Sequence, residues 1–322
     1  MSTLKPKRIL IAPLDWGLGH TARCIPIIRY IISLGHVPVV ACNLSQCSFI
    51  EETFGAIEII HLDGYNITYS AWNKYAQLGL LSQLPGIVKS INREHTWLQT
   101  EAGKLHLDGI ISDNRYGLFH QSIPSVILTH QLLVQTGLGS IAGLIVQKIH
   151  YKYLNRFAAT WVVDVPGVDN LAGKLSHPSI LPHHTEYIGL LSGFECSADE
   201  QERNRSLLVL LSGPEPQRTV LSQLLWRQVS SYPGKVIFID GSDKAVPPAN
   251  IPPHITYYNR LTGEKLSGVL SNAGIVVCRS GYSTIMDMIA LKLSRVLSGK
   301  SLERQHWEDI EGYAHLALKE CR

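Results

Sequence analysis

Charge is scarce in this chain: 17% of its 322 residues are Asp, Glu, Lys or Arg, and the formal net charge is +3. So thin and balanced a complement excludes a charge-rich disordered protein and argues against a nucleic-acid coat. Lys5, Lys7 and Arg8 form the one basic cluster, which a solvated tail explains. Metal and disulfide frameworks are missing too. The six cysteines (Cys24, Cys42, Cys47, Cys196, Cys278, Cys321) include no C-x-x-C pair and no zinc-like spacing with histidine. Reduced thiols fit a cytoplasmic setting. No secretory leader is visible, because the first apolar run is short and ends in Pro13-Leu14-Asp15. The longest apolar stretch, Leu132 to Val146, is broken by Gln135, Thr136, Gly137, Gly139 and Ser140, too short and too polar for a membrane span. It reads either as an ordinary buried helix or as an apolar patch that touches a membrane surface or a lipid-linked substrate. No tandem repeat, low-complexity tract or Asp-x-Asp metal pair is present; Asp108, Asp113, Asp240 and Asp243 read as isolated strand-end or turn acids.

What is abundant is apolar sequence, 45% of the chain, enough for a substantial core and, at this length, two domains. Apolar runs alternate with helical periodicity. Strands are expected at Arg8–Ala12, Val37–Cys42, Ile57–His61, Gly109–Ser112, Ser125–Thr129 and Thr160–Val163. Helices are expected at Ala22–Leu34, Cys47–Phe54, Tyr75–Thr100, Gly139–Phe157 and, less clearly, Tyr116–His120. Gly35 stands where the first helix should stop. Proline and polar residues then mark a connector. A second series follows, with strands at Leu207–Leu211, Val236–Ile239, Ile255–Tyr258 and Ile275–Cys278 and helices at Gln217–Tyr232, Gly263–Ser271 and Ser283–Lys292. The reading is an α/β protein with a domain over 1–190, a linker over 191–206 and a second domain over 207–322.

Two glycine turns carry the chemistry. One runs Asp15-Trp16-Gly17-Leu18-Gly19-His20, after a strand and before a helix. The other is Arg279-Ser280-Gly281-Tyr282-Ser283-Thr284. A strand that turns into a helix aims free N–H groups and a positive dipole end at whatever lies above it, which suits an anion. His20 is the candidate base, because the dipole disfavours its imidazolium form; a turn residue hydrogen-bonded locally would look the same. Asp15 and Arg23 flank it, and either could orient the ring or an acceptor. In the second half, Gly213 begins a further turn, and Arg218 would add a fixed cation near an anionic ligand. Ser283 and Thr284 are either phosphate contacts or helix caps, and Asp287 is either a ribose acceptor or a charge suited to a helix start. Tyr65, Tyr69, Trp72 and Tyr75 could stack on sugar rings or pack together.

These residues resemble a known group. Ala12-Pro13-Leu14-Asp15-Trp16-Gly17-Leu18-Gly19-His20-Thr21-Ala22-Arg23 is similar to the N-terminal glycine loop of GT-B glycosyltransferases related to the peptidoglycan N-acetylglucosaminyltransferase. Val277-Cys278-Arg279-Ser280-Gly281-Tyr282-Ser283-Thr284-Ile285-Met286-Asp287 is similar to that group's donor motif. The resemblance implies two Rossmann-like, doubly wound parallel-sheet domains facing a cleft. It also implies metal-independent, inverting transfer from a UDP-sugar co-substrate to a carbohydrate, lipid-linked or small-molecule acceptor, with no further cofactor. His20 would be the base. Gly213, Ser280, Gly281, Ser283 and Thr284 would hold the pyrophosphate, and Asp287 the ribose. Asn259, within Tyr258–Leu261, would sit in the uracil loop. His130, in Thr129-His130-Gln131, would line the cleft, although the Glu of the group's His-Glu-Gln is missing.

The tail departs from that pattern. After Lys292 the group has a further strand, a proline–glycine turn and a sugar-contacting Gln/Glu segment, none of which is legible here. The expectation is an incomplete second domain, atypical after about 292, lacking its closing strand and final helix. Two other classes stay open: a sugar-nucleotide-binding protein with impaired catalysis, and a nicotinamide-dependent oxidoreductase. The last lacks the third glycine of G-x-G-x-x-G and the acid about 20 residues on.

Overall fold

The computed structural model describes residues 5–65, 76–134, 140–194, 206–213, 215–242, 245–279, 281–293 and 296–299, with the side chains of 76–82, 140, 141 and 296–299 set aside. The chain divides into two compact units, Met1–Leu191 and Ser192–Arg322.

The first unit holds β1 (Arg8–Ala12), α1 (Leu18–Ser33), β2 (Val37–Cys42), α2 (Leu44–Phe54), β3 (Glu58–His61), α3 (Ala76–Glu101), β4 (Gly109–Asp113), β5 (Ser125–Thr129), α4 (Ser140–Leu154), β6 (Ala159–Val162) and β7 (Thr185–Tyr187). All seven strands are parallel, in the order β3-β2-β1-β4-β5-β6-β7. The strands read as unbroken apolar runs because both faces are covered. Leu10 and Ala12 pack with Leu98 of α3, while Ile11 and Val40, whose side chains face the other way, are also fully buried. The second unit repeats the plan on a smaller scale. It contains β8 (Leu207–Leu210), α5 (Gln217–Val229), β9 (Val236–Ile239), β10 (Ile255–Tyr258), α6 (Gly263–Asn272), β11 (Ile275–Arg279), α7 (Tyr282–Ala290) and β12 (Val296–Gly299). Its parallel order is β10-β9-β8-β11-β12.

In both sheets the chain winds outward from a central strand, then returns to start again on that strand's other side. The crevice left by that reversal opens at the carboxyl ends of β1 and β4 in one unit and of β8 and β11 in the other. Open α/β sheets bind ligands at this place.

The structure corrects four expectations. The closing strand of the second unit is present, since Val296–Gly299 pairs with β11 from Val276↔Val296 to Arg279↔Gly299. The final helix falls on residues outside the described ones. Tyr116–His120 is not helical, because side chains and neighbours claim its N–H groups: Tyr116 donates to Tyr65 Oη, Leu118 to the Arg115 carbonyl and His120 to Ser125 Oγ. Helices α1 and α2 begin three or four residues earlier than their apolar periodicity suggests, directly after Gly17 and Asn43. Finally, α4 is not an ordinary buried helix. It buries His150 and Leu154 but leaves Leu144, Ile145 and Ile149 70%, 57% and 52% exposed. Lys148 and Lys152 are exposed beside them. No helix of the described residues is long and apolar enough to cross a membrane.

Candidate functional site

The turn after β1 depends on glycine at one position. Gly17 caps α1 with φ +89°, a left-handed conformation that a side chain would strain. Two residues into the helix stands Gly19, and His20 follows it, in the first turn, where the dipole opposes a positive ring.

His20 meets two groups. Its Nδ1 lies 2.9 Å from Asp113 Oδ2, at the end of β4, and 2.8 Å from Arg23 Nη2, one turn along α1. One ring nitrogen can serve only one of them: as an N–H it donates to the carboxylate, as a lone pair it accepts from the guanidinium. Arg23 has other acceptors for its protons. Its Nε donates to Asp113 Oδ2 at 2.9 Å, its Nη2 to Asp113 Oδ1, and its Nη1 to His130 Nδ1 at 3.1 Å. The Asn114 amide, turned so that its oxygen faces Arg23, accepts a further bond at 3.1 Å. We therefore assign the ring proton to Nδ1, facing Asp113. The lone pair falls to Nε2, which makes no hydrogen bond among the described residues.

The charges agree with this assignment. Burial alone would raise the Asp113 carboxyl, but Arg23 and His20 beside it hold it down at about 2, so it is ionised. Burial and then Arg23 lower the pKa of His20, outweighing Asp113. The same two causes take His130 down to about 3. Both imidazoles are neutral at physiological pH. An ionised Asp holding a neutral His by Nδ1–H, with Nε2 bare, is the arrangement of a general base.

Sequence reading placed Asp113 among the isolated acids, whereas it is the centre of this cluster. Asp15, one of the two flanking residues that could orient the ring or an acceptor, accepts the Tyr65 N–H at 3.1 Å, and a Cβ on Gly64 would overlap its carboxyl group. It braces the loop after β3. His130, at the end of β5, joins the cluster through Arg23.

The second unit presents a different array at its own crevice. Gly213, just past β8, has φ +104°, and a Cβ there would overlap the guanidinium of Arg279. Arg279 ends β11, donates to the Ser212 carbonyl at 3.1 Å and reaches Gln217 Oε1 at 3.5 Å. No carboxylate pairs with it among the described residues. Gly281 begins α7 with no side-chain cap, so Ser283 and Thr284 lie in its first turn rather than capping it. Ser280 lies outside the described residues. The expected cation, Arg218, is turned inward: it is buried and pairs with both Asp240 and Glu215. Its charge is spent on the turn, and Arg279, which sequence reading quoted but did not single out, is the available one. The apolar run of β11 ending abruptly in an arginine was the legible signal.

Asp287, in the second turn of α7, accepts from Ser192 Oγ at 2.6 Å, and burial pushes its carboxyl up to about 7. The Asn259 carbonyl accepts the N–H groups of Gly241 and Ser242, and its amide donates to the Ala245 carbonyl, tying together the loops after β9 and β10. Among the described residues no group of three His, Cys, Asp or Glu could hold a metal ion.

No protein-family model matches this sequence, and no curated protein does. Solved structures do. The chain is similar to the spinosyn forosaminyltransferase SpnP, with a TM-score of 0.60 and 14% identity over 98% of this chain and 91% of that one. It is similar to Phytolacca americana UGT2, solved with UDP-2-fluoro-glucose and pterostilbene, at 0.56 and 12% over 99% and 94%. A Listeria monocytogenes protein described as a UDP-N-acetylglucosamine 2-epimerase matches at 0.58 and 10% over 92% and 80%. Identities this low speak for the fold alone. The two doubly wound parallel sheets of this chain have the architecture of the GT-B glycosyltransferases.

Proposed function

We propose that this chain is an inverting, metal-independent glycosyltransferase of the peptidoglycan N-acetylglucosaminyltransferase type. It takes a sugar, with N-acetylglucosamine the first candidate, from a UDP-sugar and places it on an acceptor hydroxyl. The observation that carries the reading is the Asp113–His20 pair at the β1/β4 crevice, with Nε2 bare. His20 Nε2 takes the acceptor's hydroxyl proton as the oxygen attacks the anomeric carbon, on the face opposite UDP. The bond to UDP breaks, and its electrons go to the diphosphate. Charge building there meets Arg279 and the first-turn N–H groups of α7, where Gly281, Ser283 and Thr284 stand, together with the turn at Gly213. Asp287 accepts from the ribose, and the loop around Asn259 receives the base. The exposed Leu144, Ile145 and Ile149, with Lys148 and Lys152 alongside, suit peripheral contact with an anionic membrane surface, and hence a lipid-linked acceptor on its cytoplasmic side.

The test is titration calorimetry with UDP, UDP-sugars and NAD, followed by a transfer assay. UDP binding with transfer supports the reading. UDP binding without transfer or donor hydrolysis leaves a sugar-nucleotide-binding protein, and tight NAD binding with indifference to UDP overturns both. Within that titration, Arg279→Ala is expected to weaken UDP about 10- to 100-fold, the worth of a charge-assisted hydrogen bond to phosphate. An unchanged Kd removes Arg279 from the site.

Asp287 predicts a pH dependence. Its pKa in the folded protein stands near 7, above the ordinary carboxylate value, so the ionised form that accepts from a ribose hydroxyl prevails only above that pH. UDP affinity should therefore fall about tenfold from pH 8 to pH 6, as one site binds its proton, and Asp287→Asn should flatten the profile. A wild-type profile flat over that range would sink the assignment.

A further inference from the structure

One buried side chain bridges the loop that carries His20, and the chemistry above does not use it. Gln46 is the third residue of α2 and is 1% exposed. Asn43 Oδ1 accepts the Gln46 N–H at 3.0 Å, and Gln46 Oε1 accepts the Asn43 N–H at 3.2 Å, a reciprocal cap that starts the helix. Cys42 and Cys47, with sulfurs 3.5 Å apart, pack across the same helix start, as the residues before the cap and in its first turn commonly do.

The other end of the amide has a separate task. Gln46 Nε2 donates to the Leu14 carbonyl at 2.9 Å and to Thr21 Oγ1 at 3.0 Å. Leu14 precedes and Thr21 follows the segment 15–20, whose last residue is His20. A single amide thus ties both ends of that loop to the start of α2. The cap needs only the oxygen, which glutamate would supply equally well; the two donated bonds are what glutamine adds.

We propose that Gln46 is a positioning residue for sugar transfer: by holding Leu14 and Thr21, it sets where His20 Nε2 stands relative to Asp113. This rests on the reading of His20 as the base.

Gln46→Glu separates the two tasks. It keeps an oxygen for the Asn43 N–H, so α2 keeps its cap. In place of the donor it puts a carboxylate oxygen facing the Leu14 carbonyl, which breaks the tie. In a variant that melts as the wild type does, kcat should fall about 10- to 100-fold, the cost of a small misplacement of a reacting group. KM for the UDP-sugar and Kd for UDP should stay unchanged. The ¹⁵N-labelled imidazole of His20 gives a readout that needs no turnover: one Nδ1–H tautomer in the wild type, a mixture in the variant. If the wild type transfers no sugar from any donor, the function reading fails, and the ring spectrum still decides the role of Gln46. A folded Gln46→Glu protein with wild-type kcat and a wild-type His20 spectrum overturns the proposal. Should Gln46→Glu not fold, Thr21→Val removes one arm of the tie. A smaller loss of kcat in the same direction supports the proposal, and no loss overturns it.

Discussion

Replacing His20 by alanine is expected to slow sugar transfer about 10²- to 10⁴-fold, the usual worth of a general base, while leaving UDP affinity as it was. The separation follows from where the groups sit. His20, Asp113 and Arg23 all belong to the first unit, whereas the groups proposed to hold UDP belong to the second. Asp113→Asn offers a sharper version. An asparagine of the same shape can present its amide N–H to His20 Nδ1, which moves the ring proton to Nε2 and removes the lone pair that accepts from the acceptor. The rate should fall nearly as far as in His20→Ala with the ring still in place. The pH profile carries the sign. Because burial and Arg23 lower the pKa of His20, the base stays unprotonated below the ordinary histidine value, and the acidic limb of kcat should lie below pH ~6.5. Steady-state kinetics from pH 5 to 9 measure all three effects. Full turnover in His20→Ala would end its assignment as base.

Glu94→Ala should destabilise the first unit by about 3–5 kcal/mol, the cost of stranding a buried charge. Glu94, on α3, accepts from Arg115 Nε at 2.7 Å and from Tyr65 Oη at 3.0 Å, and both members of the ion pair are almost wholly buried. Arg115 also donates to the carbonyls of Pro13 and Asp63, and Tyr65 Oη accepts the Tyr116 N–H at 2.9 Å. One carboxylate therefore braces the loops that follow β1, β3 and β4, the first of which leads into the helix turn of His20 and the last of which leaves the strand at Asp113. Truncation leaves the guanidinium without its counter-charge and loosens all three. Urea melts of the first unit's transition measure the loss, and Glu94→Gln, which keeps one acceptor oxygen for Arg115 but turns an NH2 toward Tyr65 Oη, should recover part of it. A shift under 1 kcal/mol would show that water or a neighbour repays the charge.

The glycine loop was legible as a strand–turn–helix unit because it is local: a strand, a turn that needs Gly17 in a left-handed conformation, and a helix with His20 in its first turn. Most strands were legible to within a residue, since buried parallel strands carry unbroken apolar runs. The exceptions are instructive. β7 is three residues of mixed polarity, too short for a pattern, and β12 is four residues behind a polar Lys-Leu-Ser-Arg stretch. The early start of α2 was hidden because a capping box, not periodicity, sets it.

Arg218 and Arg279 are alike in their local sequence setting. Each stands near a strand–helix turn, and no local rule tells which is ion-paired within the protein. Asp240, 22 residues from Arg218, decides it by pairing with that residue.

By its own pattern the sequence determined two α/β halves, the location of most of their strands and the two glycine turns that lead from a strand into a helix, because periodicity and glycine conformation act within a few residues. Tertiary structure alone decided that Asp113 orients His20, that Arg279 rather than Arg218 is the available cation, and that Gln46 spans the loop. The first of those pairs is separated by 93 residues. Such partners meet only when parallel strands bring distant carboxyl ends into one crevice, and burial there then sets which groups are charged.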